Sequence, residues 1–547
     1  MLKSKVWMLG LLAMSGSFTA QDKLNNVPRP KLVVGLVVDQ MRWDYLYRYY
    51  SKYEEGGFKR MLNTGYSLNN VHIDYIPTYT AIGHTSIFTG SVPSIHGIAG
   101  NNWYDRETGD SAYCTEDKTV QPVGTSSLEM GQHSPRNLWS TTVTDELRMA
   151  TNFEAKVVGV SLKDRASILP AGHNPTAAFW FDDTTGDFIS SSYYMKDLPQ
   201  WAKDFNKQKY PSQLIAKGWN TLLPIKEYTE SSADNVAWED VLGSKKTPTF
   251  PYSDLAKDYE KKKGIIRTTP YGNTLSLLMA DAAIDGYQLG ADEVTDFLTV
   301  NLASTDYVGH NFGPNSIEVE DTYIRLDRDL AKFFSTLDQK IGKGNYTVFL
   351  SADHGGAHSV GFMQENKMPA GFSGDGIKKE LNTLLQNKFG VEKLVLASTN
   401  NQVYLNKKAI KEKDLSYGDV MDMALEYLRD RSDILYASDM EELTETSIPE
   451  PIKTRAINGY NWKRSGDIQY IPKDGYISSY AKKGTTHGAW NSYDSHIPLI
   501  FMGWGIQKGE SNKAYHMTDI APTVSALLKI QFPSGAIGQP ITEVLGK

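Results

Sequence analysis

Cys114 is the only cysteine in 547 residues. A lone thiol excludes an intramolecular disulfide framework and a cysteine-held metal cluster, so any metal must be held by Asp, Glu and His. No stretch beyond the N-terminal segment approaches the run of about 20 apolar residues that a membrane-spanning helix needs. Neither sign of charge is in strong excess: 57 Lys+Arg face 64 Asp+Glu, a formal net charge of −7. That balance gives no reason to expect a nucleic-acid partner, and the local Lys257-to-Lys263 run reads as a solvated helix face. Internal repeats and low-complexity tracts are missing too, which excludes solenoids and linker-like chains.

The chain opens with a processing signal. Lys3 and Lys5 form a positive start, Val6 to Met14 is a short apolar run, and Ser15 to Ala20 is small and polar. Residues 1–20 therefore read as a secretory signal peptide, too short in its apolar part to span a bilayer. Phe18 suits the usual cleavage pattern poorly, so the exact processing point stays open. No cysteine follows to carry a lipid, so no membrane anchor is expected. The enzyme-sized remainder is expected in the periplasm or medium, with a monomer as the expected state.

Continuous apolar runs end in polar residues at Lys31–Asp39, Ala155–Ser161, Phe297–Asp306 and Tyr346–His354, with a fifth run at Ile497–Phe501. Such runs read as strands buried on both faces, and Pro498 points to a strand start or a sheet edge. Helical patterns lie between them. Val319, Tyr323, Leu326, Leu330, Phe333 and Leu337 share one helical face. This alternation predicts an α/β fold, a mostly parallel central sheet sandwiched by helices, in which ligands bind at the C-terminal strand ends. Two stretches break it, at about 182–263 and 366–472, and read as inserted segments forming a cap beside the ligand end.

One short stretch carries a candidate nucleophile. Pro77 breaks the chain, Ala81 to Phe88 is helical, and Gly90 ends the helix, leaving Thr80 near its start. A hydroxyl there faces free backbone N–H groups and partial positive charge, where an anion is favoured. By itself Thr80 also fits an ordinary N-cap.

The strand ends supply the rest: Asp39, Asp306, His310, Asp353 and His354, joined by His487 from Gly484-Thr-Thr-His-Gly488. Asp306 and His310 are one helical turn apart and can face one metal. Asp353 and His354 would point apart on a strand, but Gly355-Gly356 allows a tight bend. Six such ligands suit two metals, and the imidazole-rich set favours zinc. Two metals beside a threonine hydroxyl suit in-line phosphoryl transfer. Lys163 and Arg165, just past a strand end, read either as a cationic clamp for phosphoryl oxygens or as a surface pair around Asp164. Asn101 or Asn102 offers a further donor, or a plain turn. His84, His96, His358 and His496 read as structural.

These motifs, with His96-Gly-Ile-Ala-Gly-Asn-Asn-Trp-Tyr-Asp105, Ser161-Leu-Lys-Asp-Arg165, Ser304-Thr-Asp-Tyr-Val-Gly-His310 and Thr518-Asp-Ile-Ala-Pro522, resemble the alkaline phosphatase superfamily nearly from end to end. The likeness is greatest to the phosphate-irrepressible, threonine-nucleophile alkaline phosphatases of the PafA type. The resemblance implies that residues 21–547 form one catalytic domain with cap insertions. Thr80 would be the nucleophile, transiently phosphorylated and adjacent to metal. Asp306, His310 and His487 would hold one zinc, and Asp39, Asp353 and His354 the other. Asn101, Lys163 and Arg165 would bind phosphoryl oxygens, with Lys163 standing where some relatives hold magnesium. The implied activity is zinc-dependent hydrolysis of small phosphate monoesters of broad range, with two Zn2+ per chain. Two alternatives remain: a nucleotide pyrophosphatase/phosphodiesterase, and a non-catalytic metal-dependent phosphate-binding protein.

Overall fold

The computed structural model describes residues 27–546, so the signal-peptide reading lies outside the described residues. The central sheet has eleven strands. Its middle is built from β1 (Leu32–Val38), β2 (Tyr66–His72), β3 (Val157–Val160), β4 (Ala177–Asp182), β5 (Asp187–Ser191), β6 (Asp296–Leu302), β7 (Tyr346–Ser351) and β8 (His496–Gly503). Across the sheet they run β2-β8-β7-β1-β6-β3-β4-β5. From β7 to β4 neighbouring strands are parallel, while β8, β2 and β5 pair antiparallel at the flanks.

Every residue of β1, β6 and β7 is buried, because helices cover both faces. That double cover is why the strands read as unbroken apolar runs rather than alternating ones. Register then positions the chemistry. Val37 pairs with Ser351 on one side and Asn301 on the other. Asp39, Asp353 and Asp306, just beyond those residues, therefore emerge along one edge.

Pro498 departs from its expectation. It lies inside β8, an interior strand between β7 and β2. The missing N–H is tolerated because the β8–β2 register shifts between Ile497 and Leu499, and pairing with β7 begins only at Leu499. A bulge lets proline sit in a central strand.

The helices follow the strands. Those that matter for the site are α1 (Thr80–Thr89), α2 (Asp164–Ala171), α3 (Tyr271–Tyr287), α4 (Ser304–Phe312), α5 (Ile317–Leu337) and α6 (Ile520–Leu528). All ten residues of α1 are buried, so it has no solvent face to mark with polar residues. It ends at Gly90 in the left-handed region, φ 63°. On α5 the whole expected face, from Val319 to Leu337, is buried in the main core.

The two inserted stretches differ in kind. β5 still belongs to the central sheet, so the first insertion leaves it only after Ser191. The second builds its own four-stranded sheet, 395–399, 402–405, 468–472 and 434–439 in spatial order, over a separate apolar cluster containing Leu381, Val403 and Leu428. Its tip meets the ligand end: Asn400 Nδ2 donates to the Asn102 carbonyl at 2.7 Å, and Asn401 Nδ2 to the Gly488 carbonyl at 3.4 Å.

Gly83 lets α1 lie directly on the chain that leaves β7. A Cβ there would stand 2.2 Å from the backbone oxygen of Asp353. Neither partner is a flexible side chain, so Gly83→Ala should destabilise the protein by about 1–3 kcal/mol. Thermal unfolding of the variant, with Tm lowered and activity reduced together, checks this.

Candidate active site

The C-terminal edge of the parallel strands gathers the predicted ligands. Asp39 and Asp353 are fully buried, and each keeps one oxygen, Asp39 Oδ1 and Asp353 Oδ2, with no hydrogen-bond partner among the described residues. Unpaired buried carboxylate oxygens are costly and ask for a cation. His354 Nε2 lies 3.7 Å from Asp39 Oδ1 and 3.3 Å from Asp353 Oδ2. In the second set, Asp306 Oδ1 is 3.1 Å from His310 Nε2 and 3.8 Å from His487 Nε2. Donor atoms of Asp39, Asp353 and His354, and of Asp306, His354 and His487, cluster within 4.8 Å. His354 thus lies within reach of both sets, its ring stacked on that of His487 at 3.5 Å.

The three imidazoles are oriented alike. Nδ1 of His310, His354 and His487 lies 2.8, 2.8 and 2.6 Å from the carbonyls of Thr485, Gly355 and Thr78. Each carbonyl accepts the Nδ1 proton, which leaves Nε2 bare and aimed inward. Burial keeps His354 and His487 neutral, their pKa values lowered, His487 further so by its two neighbouring imidazoles. Imidazole Nε2 atoms aimed inward beside carboxylate oxygens are the donor set of a divalent metal, so the residues fit the implied group.

Charge is balanced locally by one lysine. Lys163 is fully buried, with Nζ 2.9 Å from Asp39 Oδ2 and 2.7 Å from Asp306 Oδ2. Burial alone would raise the Asp306 carboxyl, but His310 and Lys163 hold it well below the usual range. For Asp39 burial and the Asp353 charge win, and its carboxyl is raised. The surface-pair reading of Lys163 and Arg165 fails: Lys163 is buried, and Arg165 is half-buried with its Nη1 on Tyr113 rather than on Asp164. Lys163 nevertheless differs from a plain phosphoryl clamp: its ammonium is already held between carboxylates of the two ligand sets.

Thr80 is not the cap of its helix. Tyr79 occupies the N-cap position, Thr80 opens the helix, and the Thr80 side chain caps nothing. Its Oγ1 stands 3.4 Å from His354 Nε2. The cap comes from elsewhere: Asn101 Oδ1 accepts the Ala81 N–H at 2.9 Å. One of the N–H groups expected to be free is therefore occupied, and the fixed Asn101 turns its amide donor loose. Asn102 is exposed in a short hairpin instead. Arg165, at the start of α2, donates from Nη1 to the Tyr113 hydroxyl at 3.0 Å, and its Nε has no partner among the described residues.

The Gly355-Gly356 bend works differently from its expectation. β7 ends at Ser351, so Asp353 and His354 are already off the strand, and neither glycine has positive φ. Their use is close approach: a Cβ on Gly355 would stand 2.1 Å from the Tyr493 carbonyl oxygen. His84 reads as structural: its Nδ1 donates to the Thr80 carbonyl at 3.0 Å and lies 3.4 Å from Asp353 Oδ2. His96 faces Ser86, His358 faces Arg42 and Asn315, and His496 stacks between Trp43 and His72.

Several site residues carried no sequence signal. Gln40 donates from Nε2 to Asp306 Oδ1 at 2.7 Å, and its N–H reaches Asp353 Oδ1 at 3.2 Å. It sits at φ 60°, a strained position for a residue with a Cβ, which turns the chain sharply behind Asp39. Asp494 accepts the N–H groups of Gly488 and Ala489, fixing the loop of His487. Only Gln40's adjacency to a strand-end aspartate hinted at its role.

A family model described as type I phosphodiesterase / nucleotide pyrophosphatase matches residues 33–494. The chain belongs to that family. Alkaline phosphatase PafA of Elizabethkingia meningoseptica is 73% identical over the full length of both chains. A protein of Myroides odoratus named calcium-transporting ATPase is 54% identical over 96% of each. The crystal structure of wild-type alkaline phosphatase PafA superposes with a TM-score of 0.94 at 75% identity, covering 95% of this chain and all of that one. A variant of that enzyme, with a threonine made serine and an asparagine, a lysine and an arginine made alanine, superposes equally well. The resemblance read from the motifs is thereby borne out, and so is the α/β fold with its mostly parallel sheet. The chain is a hydrolase of the PafA-type alkaline phosphatases. No helix among the described residues is long and apolar enough to cross a membrane.

Gln40 holds a ligand from behind, so Gln40→Ala should weaken metal retention about 10–100-fold. Metal content after dialysis against graded chelator checks this, with the wild type alongside.

Proposed function

We propose that this chain hydrolyses small phosphate monoesters through a phosphothreonine intermediate formed on Thr80, with one zinc held by Asp306, His310 and His487 and another by Asp39, Asp353 and His354. The observation that carries the reading is the Thr80 hydroxyl at 3.4 Å from His354 Nε2, at the start of a buried helix and beside both ligand sets. Bound zinc would supply Lewis acidity at the attacking and leaving oxygens and would acidify a water.

The chain's own groups do the rest. Thr80 Oγ attacks phosphorus as its proton departs, the ester P–O bond breaks, and the alcohol leaves. Water then attacks the phosphothreonine, the P–Oγ bond breaks, inorganic phosphate is released, and Thr80 regains a proton. Asn101, pinned through Oδ1, offers Nδ2 to a phosphoryl oxygen. Arg165, braced by Tyr113, offers its remaining donors to another. Lys163 keeps Asp39 and Asp306 apart in charge while lending its positive field to the same oxygens. The four residue types altered in the PafA variant are those of Thr80, Asn101, Lys163 and Arg165, which supports these assignments.

A half-buried arginine held by Tyr113 also supports monoesters over the diesters named in the family description, since a diester has one fewer charged oxygen to meet it. The terminal phosphoryl group of a nucleoside triphosphate offers the same oxygens, so hydrolysis of ATP falls within this reading. We also infer export from the N-terminal segment, and a cap role for the 366–472 insertion, whose tip touches the loops of Asn102 and Gly488.

Thr80→Ala should abolish turnover of an aryl phosphate while about two zinc ions per chain remain bound; steady-state rates with elemental analysis check both. Unchanged turnover would remove Thr80 from the reaction. Arg165→Ala should cost an aryl monoester about 10²-fold or more in kcat/KM and its methyl diester far less. Equal losses on the two esters would refute the arginine's role.

A further inference from the structure

Asp164 and Arg165 are neighbours at the start of α2, and a phenol stands between their charges. The Arg165 guanidinium reaches the Tyr113 hydroxyl, Nη1 to oxygen at 3.0 Å. Asp164 Oδ1 meets the same hydroxyl at 2.9 Å.

Proton counting fixes the direction of both bonds. A guanidinium only donates and a carboxylate only accepts. The phenol has a single proton, and Asp164 is the acceptor for it. The lone pairs that remain face Arg165. Asp164 thus sets which way the phenol points, and the phenol sets where Nη1 lies. A second hydroxyl holds the carboxylate: Thr115 Oγ1 donates to Asp164 Oδ2. Behind it, His133 Nδ1 lies 3.3 Å from Thr115 Oγ1, and His133 Nε2 donates to the Glu129 carbonyl at 2.9 Å. Burial alone would raise the Asp164 carboxyl, but His133, Arg165 and the two hydroxyls hold it below its ordinary range.

We infer that Asp164 and Tyr113 are positioning residues that aim Arg165 at a phosphoryl oxygen, so that this relay underlies the preference for monoesters. The inference rests on the role given to Arg165 above. With Nη1 spent on the phenol, Nε has no partner among the described residues, and that edge of the guanidinium is left for an oxyanion.

Two observations set the relay apart from ordinary packing. A cavity of about 500 Å³ opens beside it, bordered by Tyr113, Asp164, Asn102, His133 and Trp180. Side chains that border open space lack close contact on every side, so hydrogen bonds must hold them in place. The hairpin that carries Tyr113 also carries the other neutral donor proposed for the phosphoryl group. Asn102 pairs with Tyr113, and the Cys114 N–H donates to the Asn101 carbonyl at 3.0 Å. One hairpin therefore fixes Asn101 through its backbone and Arg165 through its phenol.

The test uses the full-length, zinc-loaded protein with an aryl phosphate monoester and its methyl diester. Tyr113→Phe removes one oxygen atom and both bonds. It should lower kcat/KM for the monoester about tenfold or more, and for the diester less than about twofold. Asp164→Asn should act in the same way, because a rotated amide donates to the phenol and turns its proton toward Arg165. In the Arg165→Ala background, neither change should cost the monoester more than about a further twofold. A merely structural relay would move both esters together and act as strongly without Arg165; either result overturns the inference. So does a Tyr113→Phe enzyme that keeps wild-type kcat/KM on both esters. Should Asp164→Asn not fold, Tyr113→Phe and its double variant decide alone. Arg165→Ala by itself tests the underlying reading. Equal losses on the two esters would remove Arg165 from the phosphoryl site and the relay with it. A selective loss there, beside an indifferent Tyr113→Phe, overturns the relay only.

Discussion

Buried negative charge at one sheet edge is the constraint on which the rest of the structure depends. Parallel strands end together, and here three of them deliver Asp39, Asp353 and Asp306 to one water-poor place. Two carboxylates at the spacing of these donor atoms repel by roughly 3–4 kcal/mol at an effective dielectric of about 20. A fold cannot leave that uncompensated. Lys163 compensates part of it, standing between Asp39 and Asp306, and the two bare oxygens on Asp39 and Asp353 mark the remainder. A site that so strongly asks for cations is also one that welcomes a phosphoryl group once they are bound.

Orientation is the second requirement, and for the three imidazoles it is met by backbone carbonyls. Carbonyls of Thr78, Gly355 and Thr485 each fix one imidazole so that Nε2 faces inward. Gln40, Asn101 and Tyr113 do the same for Asp306, the start of α1 and Arg165. Apart from the His354–Gly355 pair of neighbours, these contacts join segments at least twenty residues apart in sequence. Glycines 83 and 355 matter here because backbones must touch, not because the chain needs unusual dihedrals.

Much of this was legible beforehand, for identifiable reasons. Doubly covered strands must be apolar along their whole length, so β1, β6 and β7 announced themselves, and their terminal aspartates with them. The Asp306–His310 spacing is a helical turn wherever it occurs. Other elements resisted for equally physical reasons. Pro498 argued for an edge, yet a bulge lets it sit inside the sheet. Thr80 has the makings of a cap, but Asn101 performs that task from twenty residues away. Gln40 and Tyr113 belong to residue types that fill many loops, and nothing local distinguishes them.

The sequence by itself therefore determined the strand and helix periodicities, the identity of the ligand types and the helical turn that opens at Thr80. Those are short-range properties, written in spacing and in the chemistry of single side chains. Only the tertiary structure decided which oxygens stay unpaired and that Lys163 bridges two ligand carboxylates rather than lying at the surface. Charge, burial and hydrogen-bond satisfaction depend on what distant segments bring to the same place, and sheet register with helix packing sets that distance.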